Sequence, residues 1–189
     1  QIASFEAMRQ QISQSAEGNF LVHLCNSGGI SNYPQAHYDM VRLGIGLYGI
    51  GFNAADRQFL QPVSELQASV SQIKQINVGD TVSYGRSFVA EKPMEIAVIS
   101  IGYADGFRRS LSNGRGEVAI RGKRYPVVGR VCMDMIMADV TGAEVQEGDP
   151  VEIFGEHISI YELAEKMNTI PYEVLTGIGQ RVKRVYIME

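Results

Sequence analysis

The 189 residues are 45% hydrophobic and 20% charged, a balance that fits a soluble globular chain of one domain or two small ones. The net charge of −4, with basic residues scattered rather than striped, argues against a nucleic-acid surface, and no run approaches the ~20 apolar residues of a membrane span. Cys25 and Cys132 lie far apart outside any CxxC pair, His23, His37 and His157 lack metal-ligand spacing, and the first residues lack a signal-peptide layout. No metal is therefore expected, and a cytoplasmic enzyme or binding protein is the starting expectation.

In chain order, Ile2, Phe5, Met8 and Ile12 recur at helical spacing and predict a helix stopped by Gly18 and Asn19. "FLVHLCNS" (20–27) reads as a buried strand, followed by a Gly-rich turn and a helical turn; "MVRLGIGLYG" (40–49) reads as a second strand. Helix, strand, helix, strand is the rhythm of parallel α/β architecture. Two parallel strands make no stable sheet alone, so this end is expected to belong to something larger. Arg42 is the misfit, because a permanent charge in an apolar strand needs a partner.

From about residue 60 the texture changes to short strand-like runs at 66–77, 94–103, 116–131, 133–141 and 149–155, separated by Gly, Asp and Pro turn signals. Their spacing predicts a sandwich or barrel-like β domain. One helix is expected at 158–168, with Ser159 as N-cap and Glu162 three residues on. The alternating "RVKRVYIM" (181–188) is read as a closing strand. The fold expected is thus mainly β: a β-domain at 59–189, preceded at 1–58 by an α/β remnant.

Several clusters admit two readings. Asn26, Ser27, Gly28 and Gly29 sit where a strand ends and a helix starts, which on sequence alone is more often an ordinary capped turn, though the place also favours a phosphate. "RLGIG" repeats the arrangement, with Gly44 permitting close backbone approach. Tyr84 and Tyr103 stand beside turns, where a tyrosine either packs amphipathically or serves a site. "GRVCMDM" (129–135) is either a small strand with a buried Cys and Met or a functional loop. His23 reads as a core residue.

Six ordered stretches, "HLCNSGGI", "DMVRLGIGLYG", "VSYGRSF", "ISIGYADGFRRSLSNG", "VGRVCMDMIMADVT" and "PYEVLTGIGQRVKRVY", resemble the C-terminal half of the alanine racemase family, fold-type III pyridoxal-phosphate enzymes. The resemblance implies the last two βα units of a (β/α)8 barrel followed by a β-rich domain. It matches Arg42 to an arginine that meets the pyridine nitrogen of pyridoxal 5'-phosphate. It matches Ser27, Gly44, Ile45 and Tyr172 to phosphate-binding positions, and Tyr84 to a catalytic acid/base that serves one face of the substrate Cα. A free tyrosine titrates near ~10, so such a base needs positive charge nearby. Met133 resembles a residue whose backbone meets the substrate carboxylate. Tyr103, Arg109, Arg130, Asp134 and Ile170 resemble residues lining the access route.

The family's sites span a head-to-tail homodimer, its substrate is alanine, and its product D-alanine feeds peptidoglycan. The family's cofactor lysine has no counterpart here. Lys74, Lys92, Lys123, Lys166 and Lys183 all fall in the β region or its late helix. The 189 residues are accordingly expected to be a fragment, inactive alone. A serine or broad-specificity racemase and a non-catalytic dimerisation module remain the alternatives.

Overall fold

The computed structural model describes residues 1–15 and 18–187, which divide into two units, Gln1–Ser64 and Glu65–Glu189. In the first unit, α1 (Ile2–Ser15) forms as its spacing predicts, but Met8 and Ile12 on its apolar face stay exposed. The short α2 (Ser27–Asn32) is capped by Asn26, whose side chain accepts the Gly29 N–H at 3.0 Å. Single 3-10 turns occupy Pro34–Ala36 and Ile45–Tyr48, and α3 (Ala54–Phe59) follows, capped by Asn53.

The strands predicted at 20–27 and 40–49 are reduced to one parallel bridge, His23–Met40. A parallel pair with no further neighbour has too few ladder bonds to hold extended geometry, and residues 45–48 coil instead. Arg42 is correspondingly no buried strand charge; it is exposed, and its guanidinium donates to the Leu24 carbonyl at 3.1 Å.

The second unit is the β domain. Its strands are β1 (Leu66–Ile76), β2 (Thr81–Val82), β3 (Phe88–Val89), β4 (Met94–Ile99), β5 (Glu117–Ile120), β6 (Lys123–Pro126), β7 (Ile136–Asp139) and β8 (Pro150–Phe154). Six of them form one antiparallel sheet in the order β6-β5-β8-β1-β4-β7. A bridge from Val127, just past β6, to Ala138 in β7 joins the two edges, so the barrel-like alternative is the one adopted. β1 is long enough to serve two neighbours, β8 with Leu66–Ser69 and β4 with Val70–Ile76, and a bulge at Val70/Gln72 marks the changeover.

The run 116–131 is not one strand. Arg121 (φ 50°) and Gly122 (φ 76°) turn it into the β5–β6 hairpin, the paired left-handed geometry of a two-residue loop. Val118, Ile120, Val127, Ile136, Val151 and Ile153 are essentially fully buried and form the barrel core with Phe107 and Leu111. The β2–β3 hairpin packs Val82 and Phe88 onto Met94, Ile96, Val128 and Met137.

Helices α4 (Ile160–Lys166) and α5 (Pro171–Thr176) close the chain. Ser159 caps α4 as expected, its hydroxyl accepting the Glu162 N–H at 3.1 Å. The predicted strand at 181–188 does not form over its described residues; Met188 lies outside them. Arg184 takes the carbonyls of Gly179, Val182 and Ile178 with its own guanidinium, so these acceptors are spent locally rather than on a ladder. Among the described residues no helix is long and apolar enough to cross a membrane.

Beside the β5–β6 turn, the Glu152 carboxylate accepts the backbone N–H of His157 and of Ile158 and meets His157 Nδ1 at 2.9 Å. The hydrogen bond to Glu152 raises the His157 pKa. Charged His157 therefore adds stability that is complete below the ordinary histidine value of ~6.5 and is lost as pH rises through the higher folded value. A proton NMR titration of the His157 ring is expected to give an apparent pKa above that value; a pKa at or below it contradicts the pairing.

Candidate active-site residues

In the first unit, Ser27 opens α2 and is buried, and its Oγ accepts the N–H of Gly44 at 2.9 Å and of Gly46 at 3.4 Å. The hydroxyl proton finds no acceptor among the described residues, so it remains to donate. Ile45 begins its 3-10 turn, and the N–H at such a start has no partner within the turn. One hydroxyl and one or more free amides at adjoining helix starts make a donor set that suits an anion. Gly44 is not required by crowding, since a Cβ there would meet Ser27 Oγ at an ordinary 3.7 Å. Arg42 lines a cavity of about 660 Å³ together with Leu24, Cys25, Asn26, Gly29 and Tyr33. Ser27 thus meets Gly44 directly, Ile45 adjoins Gly44, and Arg42 lies on the cavity that Asn26, the neighbour of Ser27, also lines. His23, read as a core residue, holds its Nδ1 buried with no hydrogen-bond partner among the described residues.

In the second unit, Tyr84 sits in a 3-10 turn, Tyr84–Arg86, between β2 and β3. The turn is tight: Ser83, Gly85 and Arg86 all have left-handed φ, at 69°, 68° and 49°. Tyr84 is 69% exposed, so its ring does not pack. Arg130 lies against the next residue, where a Cβ on Gly85 would come within 3.3 Å of its Nη1, and Ser83 Oγ donates to the Arg130 carbonyl at 2.7 Å. Tyr84 is thereby joined to the loop carrying Cys132, Met133 and Asp134.

That loop is joined in turn to the loop after β4. The Tyr103 N–H donates to the Cys132 carbonyl at 3.0 Å and the Ala104 N–H to the Met133 carbonyl at 3.1 Å. Gly102 sits flush on this seam: a Cβ there would fall 2.2 Å from the Met133 oxygen and 2.4 Å from the Cys132 oxygen. A trans peptide points its N–H opposite to its C=O. With the Cys132 carbonyl tied to Tyr103, the Met133 N–H faces away from that loop, and no acceptor meets it among the described residues.

Arg109 is exposed and opens a 3-10 turn, Arg109–Leu111, whose Leu111 is buried; its carbonyl accepts the Ser112 hydroxyl, and that oxygen in turn accepts the Val131 N–H at 3.0 Å. Ile170 is the exposed N-cap residue of α5 and Tyr172 lies in its first turn. The end of α5 abuts the loop after β4, where a Cβ on Gly106 would meet the Gly177 oxygen at 3.0 Å, and Glu173 pairs with Arg108 at 2.5 Å. Sequence reasoning missed Asp105 and Arg181. Asp105 is only 9% exposed; it accepts the Gly102 N–H and both Nε (2.7 Å) and Nη2 (3.0 Å) of Arg181. Burial pushes its pKa up, but these bonds outweigh it and hold the carboxyl below the usual range. Arg181 Nη2 also reaches Asp134 Oδ1 at 2.6 Å. Among the described residues no group of three or more His, Cys, Asp or Glu could hold a metal.

Comparison with known proteins gives one family throughout. The family model described as "Alanine racemase, C-terminal domain" matches residues 63–186, and "Alanine racemase, N-terminal domain" matches residues 1–51. The alanine racemase of Desulfosudis oleivorans is 43% identical over 194 residues, covering 98% of this chain and 50% of that protein. The crystal structure of alanine racemase from Bartonella henselae with covalently bound pyridoxal phosphate aligns with a TM-score of 0.84 at 39% identity, over 97% of this chain and 51% of that one. Alanine racemase from Bacillus anthracis with bound L-Ala-P aligns at 0.90 and 35% identity, over 98% and 50%. The chain spans about half the length of the relatives it matches.

Proposed function

The chain belongs to the alanine racemase family, and on that premise we propose that it carries part of the active site of a pyridoxal-phosphate-dependent alanine racemase. The observation that carries the proposal is the Ser27 cluster: a buried hydroxyl fixed by the Gly44 and Gly46 amides, with its own proton unspent, beside a cavity lined by Arg42. That donor set fits the phosphate of pyridoxal 5'-phosphate. Ser27 would give its O–H, and Gly44 and Ile45 would hold the backbone of the cradle; Tyr172 is proposed as a further phosphate-binding residue by its match to the family alone. When bound, the cofactor supplies an electron-withdrawing ring that acidifies the substrate Cα–H.

Arg42 has five N–H donors and no lone pair, and it keeps its proton at any working pH. Facing the ring nitrogen, it would hold that atom as an acceptor and so limit the electron withdrawal. Limited withdrawal suits a reaction that returns the proton to the same carbon. Tyr84 would move a proton to or from one face of Cα, with the Arg130 guanidinium beside it. The base for the opposite face is a lysine not supplied by these 189 residues. Met133 would offer its unspent N–H to the substrate carboxylate. Tyr103, Arg109, Arg130, Asp134 and Ile170 would line the approach.

The substrate proposed is alanine, the assembly a head-to-tail homodimer, the compartment the cytoplasm, and the product D-alanine for peptidoglycan. Replacing Ser27 by alanine in the complete protein is expected to weaken cofactor affinity about tenfold, because the cradle loses a hydroxyl and leaves two amides unsatisfied. Titration of pyridoxal phosphate followed by absorbance checks this. Unchanged affinity would remove the cluster as the phosphate site.

A further inference from the structure

We infer that Arg181 is a positioning residue: by clasping buried Asp105 and exposed Asp134 in one guanidinium fork, it fixes the Met133 peptide in the orientation that presents its N–H. The inference rests on the proposed role of Met133, and it assigns a task to residues that this role does not touch.

Three segments distant in sequence meet at this fork. Arg181 lies in the tail past α5, Asp105 in the loop after β4, and Asp134 in the loop before β7. Its Nε and Nη2 bind the two oxygens of Asp105 at 2.7 and 3.0 Å, and Nη2 binds Asp134 Oδ1 at 2.6 Å. Both carboxylates lie within two residues of a backbone group in the seam. Asp105 also receives the N–H of Gly102, the residue flush on the Met133 carbonyl. Asp134 directly follows Met133, whose carbonyl accepts the Ala104 N–H.

The two backbone bonds of the seam, Tyr103 to Cys132 and Ala104 to Met133, are single neutral hydrogen bonds near the surface, each modest alone. The fork adds charge-assisted bonds, with the shape to hold both loops at once. If Asp134 is released, the Met133–Asp134 peptide rests on the Ala104 amide alone, and the adjoining Cys132–Met133 peptide, which carries the Met133 N–H, keeps only its bond from Tyr103 and is freer to tilt. A tilt of an ångström in a group that binds the reacting substrate is costly, up to about 10²-fold in rate.

Arg181→Lys keeps the positive charge beside Asp105, so the buried carboxylate is not left unpaired. An ammonium on a flexible stem does not span both carboxylates as the fork does. Asp134→Asn strips the charge from the second arm, leaving at most a neutral hydrogen bond there, without touching the buried pair. In the complete protein, hydrogen exchange at the Tyr103 and Ala104 amides is expected to quicken at least about tenfold in Arg181→Lys, and in the same direction in Asp134→Asn. Exchange in β1 and β4 stays as it was. With alanine as substrate, kcat/KM falls by up to about 10²-fold, mainly through KM.

Unchanged exchange at those two amides overturns the inference. So does exchange that rises equally through the barrel, which would make Arg181 a general structural tie. A rise at those amides with KM for alanine unchanged also overturns it. If the unaltered complete protein racemises no alanine, the reading of function fails, and the exchange pattern still decides whether the fork holds the seam.

Discussion

Tyr84→Phe is expected to lower kcat/KM for alanine racemisation by the complete protein about 10²–10⁴-fold, the usual loss when a general acid/base goes. Only the hydroxyl is removed. Tyr84 is 69% exposed, so the substitution forfeits little packing, and the turn that carries it keeps Gly85 and its contact with Arg130. The effect is therefore read as chemistry rather than as unfolding. It also has a direction. A two-base racemase uses one group on each face of Cα, so loss of Tyr84 blocks exchange of the Cα proton of one enantiomer more than of the other. Cα-proton exchange rates for L- and D-alanine, measured separately, check this. A Tyr84→Phe variant with both exchange rates within threefold of the unaltered protein would remove Tyr84 from catalysis.

Gly102→Ala is expected to be the most destabilising single-methyl change in the β domain, costing about 3 kcal/mol or more. The Cβ would land 2.2 Å from the Met133 oxygen and 2.4 Å from the Cys132 oxygen. Both obstacles are backbone, and both are held by hydrogen bonds from the very loop that would carry the methyl. Relief requires separating the two loops, which breaks those bonds and shifts Met133. At ~2–4 °C per kcal/mol for a chain of this size, the melting temperature should drop by about 10 °C. Activity should fall with it, because the same seam orients the Met133 N–H. A melting temperature unchanged within a degree would mean that the two loops lie apart in solution.

The β domain was legible in the sequence because its signals are local. Alternating apolar residues gave β1, β4 and β8, and the Arg121–Gly122 turn sits inside a run read as strand-like. Ser159 announced its own cap. The choice between sandwich and barrel was not legible, because it turns on one bridge, Val127–Ala138, between runs read separately. Residues 181–187 alternate like a strand yet form none, since Arg184 satisfies carbonyls that a ladder would have used.

In the first unit, the residues grouped at Ser27 and Arg42 were the ones the motifs singled out. The strands meant to carry them amount to one bridge, because a pair of parallel strands has no third to lean on. The partnership of Asp105 with Arg181 spans 76 residues and follows no periodicity. "YADG" (103–106) reads as a turn, and nothing in "GQRVKR" (179–184) says which arginine turns inward.

The measurement that tests the central claim most directly is incorporation of solvent deuterium at Cα of L- and D-alanine by the complete protein with pyridoxal phosphate in heavy water. The account predicts that deuterium enters both enantiomers while each is converted to the other. A protein that binds the cofactor and leaves the Cα proton of alanine unexchanged would contradict it.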